Sequence, residues 1–164
     1  MIKQGKLAAL FGASAIAGGL FAAPVGAHEA TDISAAAAFE MAAVTRRASG
    51  NAVLAGDYGR AIEQLGGRRK KQFESSTNLC VAYTMTGDLE LAGIECAAAL
   101  EMSEKATVRR DIAVALTNCG VVRAVSGDLS GARHDFNRAL EVSTDFLPAS
   151  KNLELLREAN ASDV

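Results

Sequence analysis

The words Thr77-Asn78, Gly87-Asp88-Leu89 and Ala92 return at the same spacing as Thr117-Asn118, Gly127-Asp128-Leu129 and Ala132. Setting Gly87 over Gly127 also aligns Ala99 with Ala139 and Leu100-Glu101 with Leu140-Glu141. A third copy of the turn, Gly56-Asp57-Tyr58, has Ala61 four residues past its aspartate. The glycines lie 31 and 40 residues apart, an imperfect period, and Asn152-Leu153 falls 34 residues after Asn118-Cys119. Such repetition restricts the chain to units that stack on copies of themselves, because one unit cannot bury its own apolar face.

The repeated residues specify a hairpin of helices. Gly87 or Gly127 ends the first helix by accepting a left-handed conformation. Asp88 or Asp128 then caps the second helix and sets a negative charge at its positive end. Ala92 and Ala99 lie seven residues apart on one helical face, as do Ala132 and Ala139, and such small residues allow two helices to approach closely. They are expected to meet the first helix near Cys80 and near Gly120. Aromatic residues make up 5% of the chain, tryptophan is absent and alanine is abundant, which favours helices over strands.

These positions resemble the tetratricopeptide repeat, a helix-turn-helix unit of about 34 residues. The residues that carry the likeness are Asn78-Leu79, Tyr83, Gly87-Asp88-Leu89, Ala92 and Ala99, then Asn118, Gly120, Gly127-Asp128-Leu129, Ala132, Phe136 and Ala139. Residues 73–144 match well and 56–65 in part. The resemblance implies an all-α fold, a short right-handed superhelix of antiparallel hairpins closed by a C-terminal capping helix. The expected units span residues 42–72, 73–112 and 113–146, with the cap at 147–160. The first is weak, since its first helix, Ala42 to Ala55, contains Gly50 and Arg46-Arg47. Cys80 stands where the family has glycine and Cys119 where it has leucine, while Glu104 and Thr144 replace the usual proline. Six extra residues around 101–112 read as longer helices.

Residues 1–27 read as a bacterial secretory signal peptide: Lys3 and Lys6, the apolar run Leu7–Ala23, and Val25-Gly26-Ala27 before a cut ahead of His28. Retention as an anchor is the alternative. Residues 28–41 are expected to form a linker or partial helix. Without Lys3 and Lys6, 15 basic residues face 19 acidic ones, a net charge of −4. That balance does not suggest a nucleic-acid partner. The mature 137 residues suffice for one core. The mature form is expected in the periplasm or secreted, not spanning a membrane.

No catalytic constellation is found, and no cofactor or metal is expected. Gly66-Gly67 lacks the lysine-hydroxyl ending of a phosphate loop, and the carboxylates Glu90, Glu95, Glu101 and Glu104 are scattered. A copper brace from His28 and His134 is set against a frayed terminus and a solvated helix residue. The basic run Arg68-Arg69-Lys70-Lys71 is either an anion contact or a solvated connector. Among the three cysteines, Cys96 faces both neighbouring first helices. A disulfide from Cys96 to Cys119, or to Cys80, is set against three buried thiols.

By the same resemblance, the first helices line a concave groove whose exposed positions are Thr77, Asn78, Val81, Met85, Thr117, Asn118, Val121 and Val125. The charged positions that grip a partner's terminal carboxylate are absent. An asparagine amide offers donor and acceptor to a peptide main chain, although Asn78 and Asn118 could equally serve the local hairpin. The expected function is a non-enzymatic interaction module, a scaffold or adaptor binding a peptide segment of another protein. The alternative is a small-molecule or lipid-binding protein using the same groove. Self-association along an open end of the stack is a further possibility.

Overall fold

A computed structural model describes residues 33–45, 48–67 and 72–162. Eight helices follow one another among them, with no strand: α1 (Ile33–Ala38), α2 (Ala48–Leu54), α3 (Tyr58–Leu65), α4 (Phe73–Thr86), α5 (Leu89–Ala106), α6 (Arg109–Val125), α7 (Leu129–Val142) and α8 (Leu147–Ser162). Residues 1–27, expected to be a signal peptide, His28 and the basic run 68–71 lie outside the described residues.

The repeated turn has the same geometry three times. Gly56, Gly87 and Gly127 adopt φ of 75°, 84° and 87°, a region that favours glycine. The N–H of the following aspartate donates to the carbonyl five residues back, at 2.9 Å in all three copies. Each aspartate then accepts the N–H three residues on: Asp57 from Arg60, Asp88 from Leu91 and Asp128 from Gly131. Losing such a cap costs about 1 kcal/mol.

Packing follows from the small residues. Ala61, Ala92 and Ala132 are fully buried, as are Ala99 and Ala139. Consecutive helices from α2 to α8 pack on each other, and α4 also packs on α2 and α6, and α6 on α8. The even-numbered helices therefore form a row with the odd ones α3, α5 and α7 behind it. Phe136 of α7 lies on bare backbone at Gly120 of α6, where an added Cβ would sit 2.5 Å from the ring. The extra residues between the second and third units are absorbed into helix: α5 has 18 residues and α6 has 17, joined through Thr107-Val108.

The amino-terminal part departs from expectation. A single first helix over Ala42 to Ala55 is not formed: residues 42–45 are not helical, and the helix described there is Ala48–Leu54. Within 28–41, where a linker or partial helix is expected, the short helix α1 packs on α4 and α6. Residues 39–45 between them are not helical, because their main chain is hydrogen-bonded to side chains of three other helices.

Candidate functional site

Asn78, Asn118 and Asn152 sit within α4, α6 and α8 and are each at most 1% exposed. A buried amide is costly unless its oxygen and nitrogen find partners. Here all three find the same partner, the segment 39–45. Val44 N–H donates to Asn78 Oδ1 at 2.8 Å, and Asn78 Nδ2 donates to the Val44 carbonyl at 2.9 Å. Asn118 holds Ala42 in the same way, at 2.9 Å in both directions. Asn152 holds Glu40, at 2.8 and 2.9 Å.

The bonded residues alternate, which is the period of an extended chain. Alternate residues of such a chain lie about 6.6 Å apart, near enough to the usual 8–10 Å between packed helices for one amide per helix to reach one residue in two. The N–H and C=O groups of Met41 and Ala43 point to the opposite edge and have no hydrogen-bond partner among the described residues. Because the contacts are to main chain, they place little demand on residue type at 40, 42 and 44.

Side chains supply what selectivity there is. Phe39 stacks on Phe136, ring centroids 6.5 Å apart. Met41 packs against all three buried clusters, and Ala43 against the one formed by Ala52, Val53, Ala61, Val81 and Ala82. The Glu40 carboxylate pairs with Lys151 of α8 at the surface. At the other end Val44 crosses α2 at Gly50, where an added Cβ would collide with the Val44 carbonyl. Beside the segment opens a cleft of about 440 Å³, lined by Ala42–Thr45, Arg110, Val114 and Phe146 among others.

Of the groove positions inferred from sequence, Asn78 and Asn118 touch the segment directly. Val81 and Val121 are buried, and Met85 and Val125 are half-buried against the same clusters. Thr77 and Thr117 are fully buried with hydroxyls that make no hydrogen bond, so they add nothing to the segment's hold. Asn152, Gly50 and the segment itself were missed. Asn152 had a signal, its 34-residue register with Asn118. Gly50 read only as a flaw in a helix, because no local pattern announces a backbone crossing.

The disulfide joins Cys80 of α4 to Cys96 of α5, with Cα atoms 5.1 Å apart. The Cys96–Cys119 pairing is not formed, and Cys119 is a free thiol. The small stripe Ala92, Cys96 and Ala99 draws α5 onto its own hairpin partner and brings the two sulfurs together. Burial, reinforced by the charge of Asp135, pushes the Cys119 thiol up to about 12, so it stays protonated and unreactive at neutral pH. Asp135 is itself buried, and that burial raises its carboxyl above the usual value, partly offset by Arg123 and then Arg138. His134 is exposed on α7.

Among the described residues no group of three or more His, Cys, Asp or Glu side chains is placed to hold a metal ion, and no helix is long and apolar enough to cross a membrane. Comparison with family models, with curated proteins and with solved structures gives no match.

Proposed function

We propose that the protein is a non-enzymatic interaction module that holds extended polypeptide by its main chain. The observation that carries this reading is the set of three paired amide contacts from Asn78, Asn118 and Asn152 to alternate residues of one segment. On this reading the row of even-numbered helices is the concave face of a short right-handed superhelix of the tetratricopeptide type. The three Gly-Asp turns of one geometry support that fold. Export to the periplasm through residues 1–27 belongs to the same proposal, with the Cys80–Cys96 bridge consistent with an oxidising compartment. A small apolar ligand would have to replace Met41 and Ala43 on the same floor without satisfying the three buried amides, which disfavours the lipid-binding alternative.

The test is selection of peptides from a random display library on the mature chain, on its Ala42→Pro variant and on both with Asn118→Ala added. Peptides whose affinity falls about fivefold or more with Asn118→Ala, and again on N-methylation at alternate residues, are the expected result, since each lost pair is worth about 1–3 kcal/mol. Peptides that bind regardless of Asn118, or no peptides on any of the four proteins, would sink the reading.

A further inference from the structure

Resting on that reading, we infer that residues 39–45 are a built-in competitor, and that the ligand in trans is a segment of another polypeptide repeating their pattern: an aromatic residue, an acid, a flexible apolar residue, then small residues.

The seated segment defines that pattern position by position. The aromatic position answers Phe136, whose ring lies on the bare backbone of Gly120. The acid that follows answers Lys151, the cation of α8 nearest that end. The third position meets three clusters at once, which an unbranched, flexible side chain such as methionine fills best. The two residues after it, Ala42 and Ala43, are small and half-buried against two of those clusters, and at Val44 the main chain itself passes over Gly50.

The same contacts explain why the segment is exchangeable. The hold on residues 39–45 themselves consists of three amide pairs, one ring stack, one exposed ion pair and partly buried apolar side chains, with α1 packed on α4 and α6 just before them. Residues 39–44 are each only half-buried, whereas Asn78, Asn118 and Asn152 beneath them are buried. An incoming segment of like pattern would reproduce every contact, so the exchange is close to neutral apart from tethering. A short covalent tether gives the resident segment an effective concentration on the order of 1 mM. A free peptide with an intrinsic Kd of about 10 μM would therefore bind the intact chain about 100-fold more weakly than an opened one.

The experiment uses the full mature chain and a fluorescent peptide of residues 38–45, Ala-Phe-Glu-Met-Ala-Ala-Val-Thr. Two independent substitutions open the site: Ala42→Pro removes the N–H that Asn118 accepts, and Gly50→Ala drives Val44 off α2. Ala43→Pro is the control, since its N–H lies on the unpaired edge. Each variant is used only with wild-type helical content by circular dichroism. The expected result is binding to both opened variants, at least tenfold weaker binding to wild type and Ala43→Pro, and binding weakened about fivefold or more when Asn118→Ala is added. A peptide with Phe and Glu exchanged should bind at least tenfold more weakly. Equal binding to wild type and opened variants overturns the competitor. If library peptides dependent on Asn118 exist but the 38–45 peptide does not bind the opened variants, the pattern is overturned while the interaction module stands. Exchange of segments between wild-type copies into a stable dimer would make a second copy the occupant and overturn the separate partner.

Discussion

Asn118 and Ala42 stand 76 residues apart and are joined by two hydrogen bonds of 2.9 Å, one in each direction. The side chain is 1% exposed, so neither partner can turn to water without loosening the fold. Replacement by alanine removes both bonds and should cost about 1–3 kcal/mol. Asn118→Asp should cost more, because it keeps the acceptor for the Ala42 N–H but sets a carboxylate against the Ala42 carbonyl. Urea midpoints at unchanged slope measure both. Equal stability of Asp and Asn would mean that the pairing contributes nothing.

Amide exchange should alternate along the segment. The N–H groups of Glu40, Ala42 and Val44 are bonded to buried side chains, whereas those of Met41 and Ala43 have no partner among the described residues. Exchange followed residue by residue by NMR should show at least tenfold slower rates at the even positions. Uniform rates would mean that the segment is not held by its edge.

Gly120 admits Phe136 because it has no side chain. Gly120→Ala forces the ring aside in a packed core, at a cost of about 1–3 kcal/mol. The displaced ring is the one that Phe39 stacks on. The loss should therefore be smaller in a Phe39→Ala background, a coupling that a double-mutant cycle reads directly.

The bridge between Cys80 and Cys96 closes a sequence separation of 16. Reduction should lower stability by about 3 kcal/mol on the chain-entropy model. Under non-reducing conditions, the native chain should resist alkylation, since Cys119 is held near 12. Unfolding without reductant should then expose one reactive thiol, counted by mass. Three thiols in the oxidised protein would remove the bridge.

Asp135 has a carboxyl raised above 3.8, foremost by burial. A folded value above the unfolded one means that the folded state binds the proton more tightly. Stability relative to a neutral side chain is then lowest above the folded value and recovers as pH falls through it towards 3.8. Asp135→Asn should gain on wild type at pH 7 and lose that advantage on acidification, as thermal melts across the acid range would show. An advantage that grows with falling pH would contradict the assignment.

Much of the helical framework was legible because its signals are local. Gly56, Gly87 and Gly127 need a left-handed backbone, the aspartates after them need a free N–H to cap, and the alanines at seven-residue spacing leave one close-packed face. Each of these acts within a dozen residues of chain. Residues 39–45 carry no such signal: Phe-Glu-Met-Ala-Ala-Val is compatible with helix, and from sequence Ala42 to Ala55 reads as one. What draws it out of helix is a set of side chains 34, 76 and 112 residues away. The asparagines themselves were visible and their capacity to hold main chain was readable. That the chain supplies the main chain itself was not, since the distant contact leaves no periodic trace. The choice of Cys80 over Cys119 was hidden for a related reason, because helical register alone lets Cys96 face both.

Those three separations also set an order of assembly. Closing loops of 34 and 112 residues differs in entropy by only about 1 kcal/mol, so timing, more than cost, distinguishes the pairs. During synthesis Asn78 emerges first, Asn118 next and Asn152 last, so Val44, Ala42 and Glu40 acquire their partners in that sequence. A chain stopped before α8 leaves Glu40 with no amide to accept its N–H. Full seating of the early-made segment thus registers that α8 has been made, and the segment carries a check that synthesis has passed that helix.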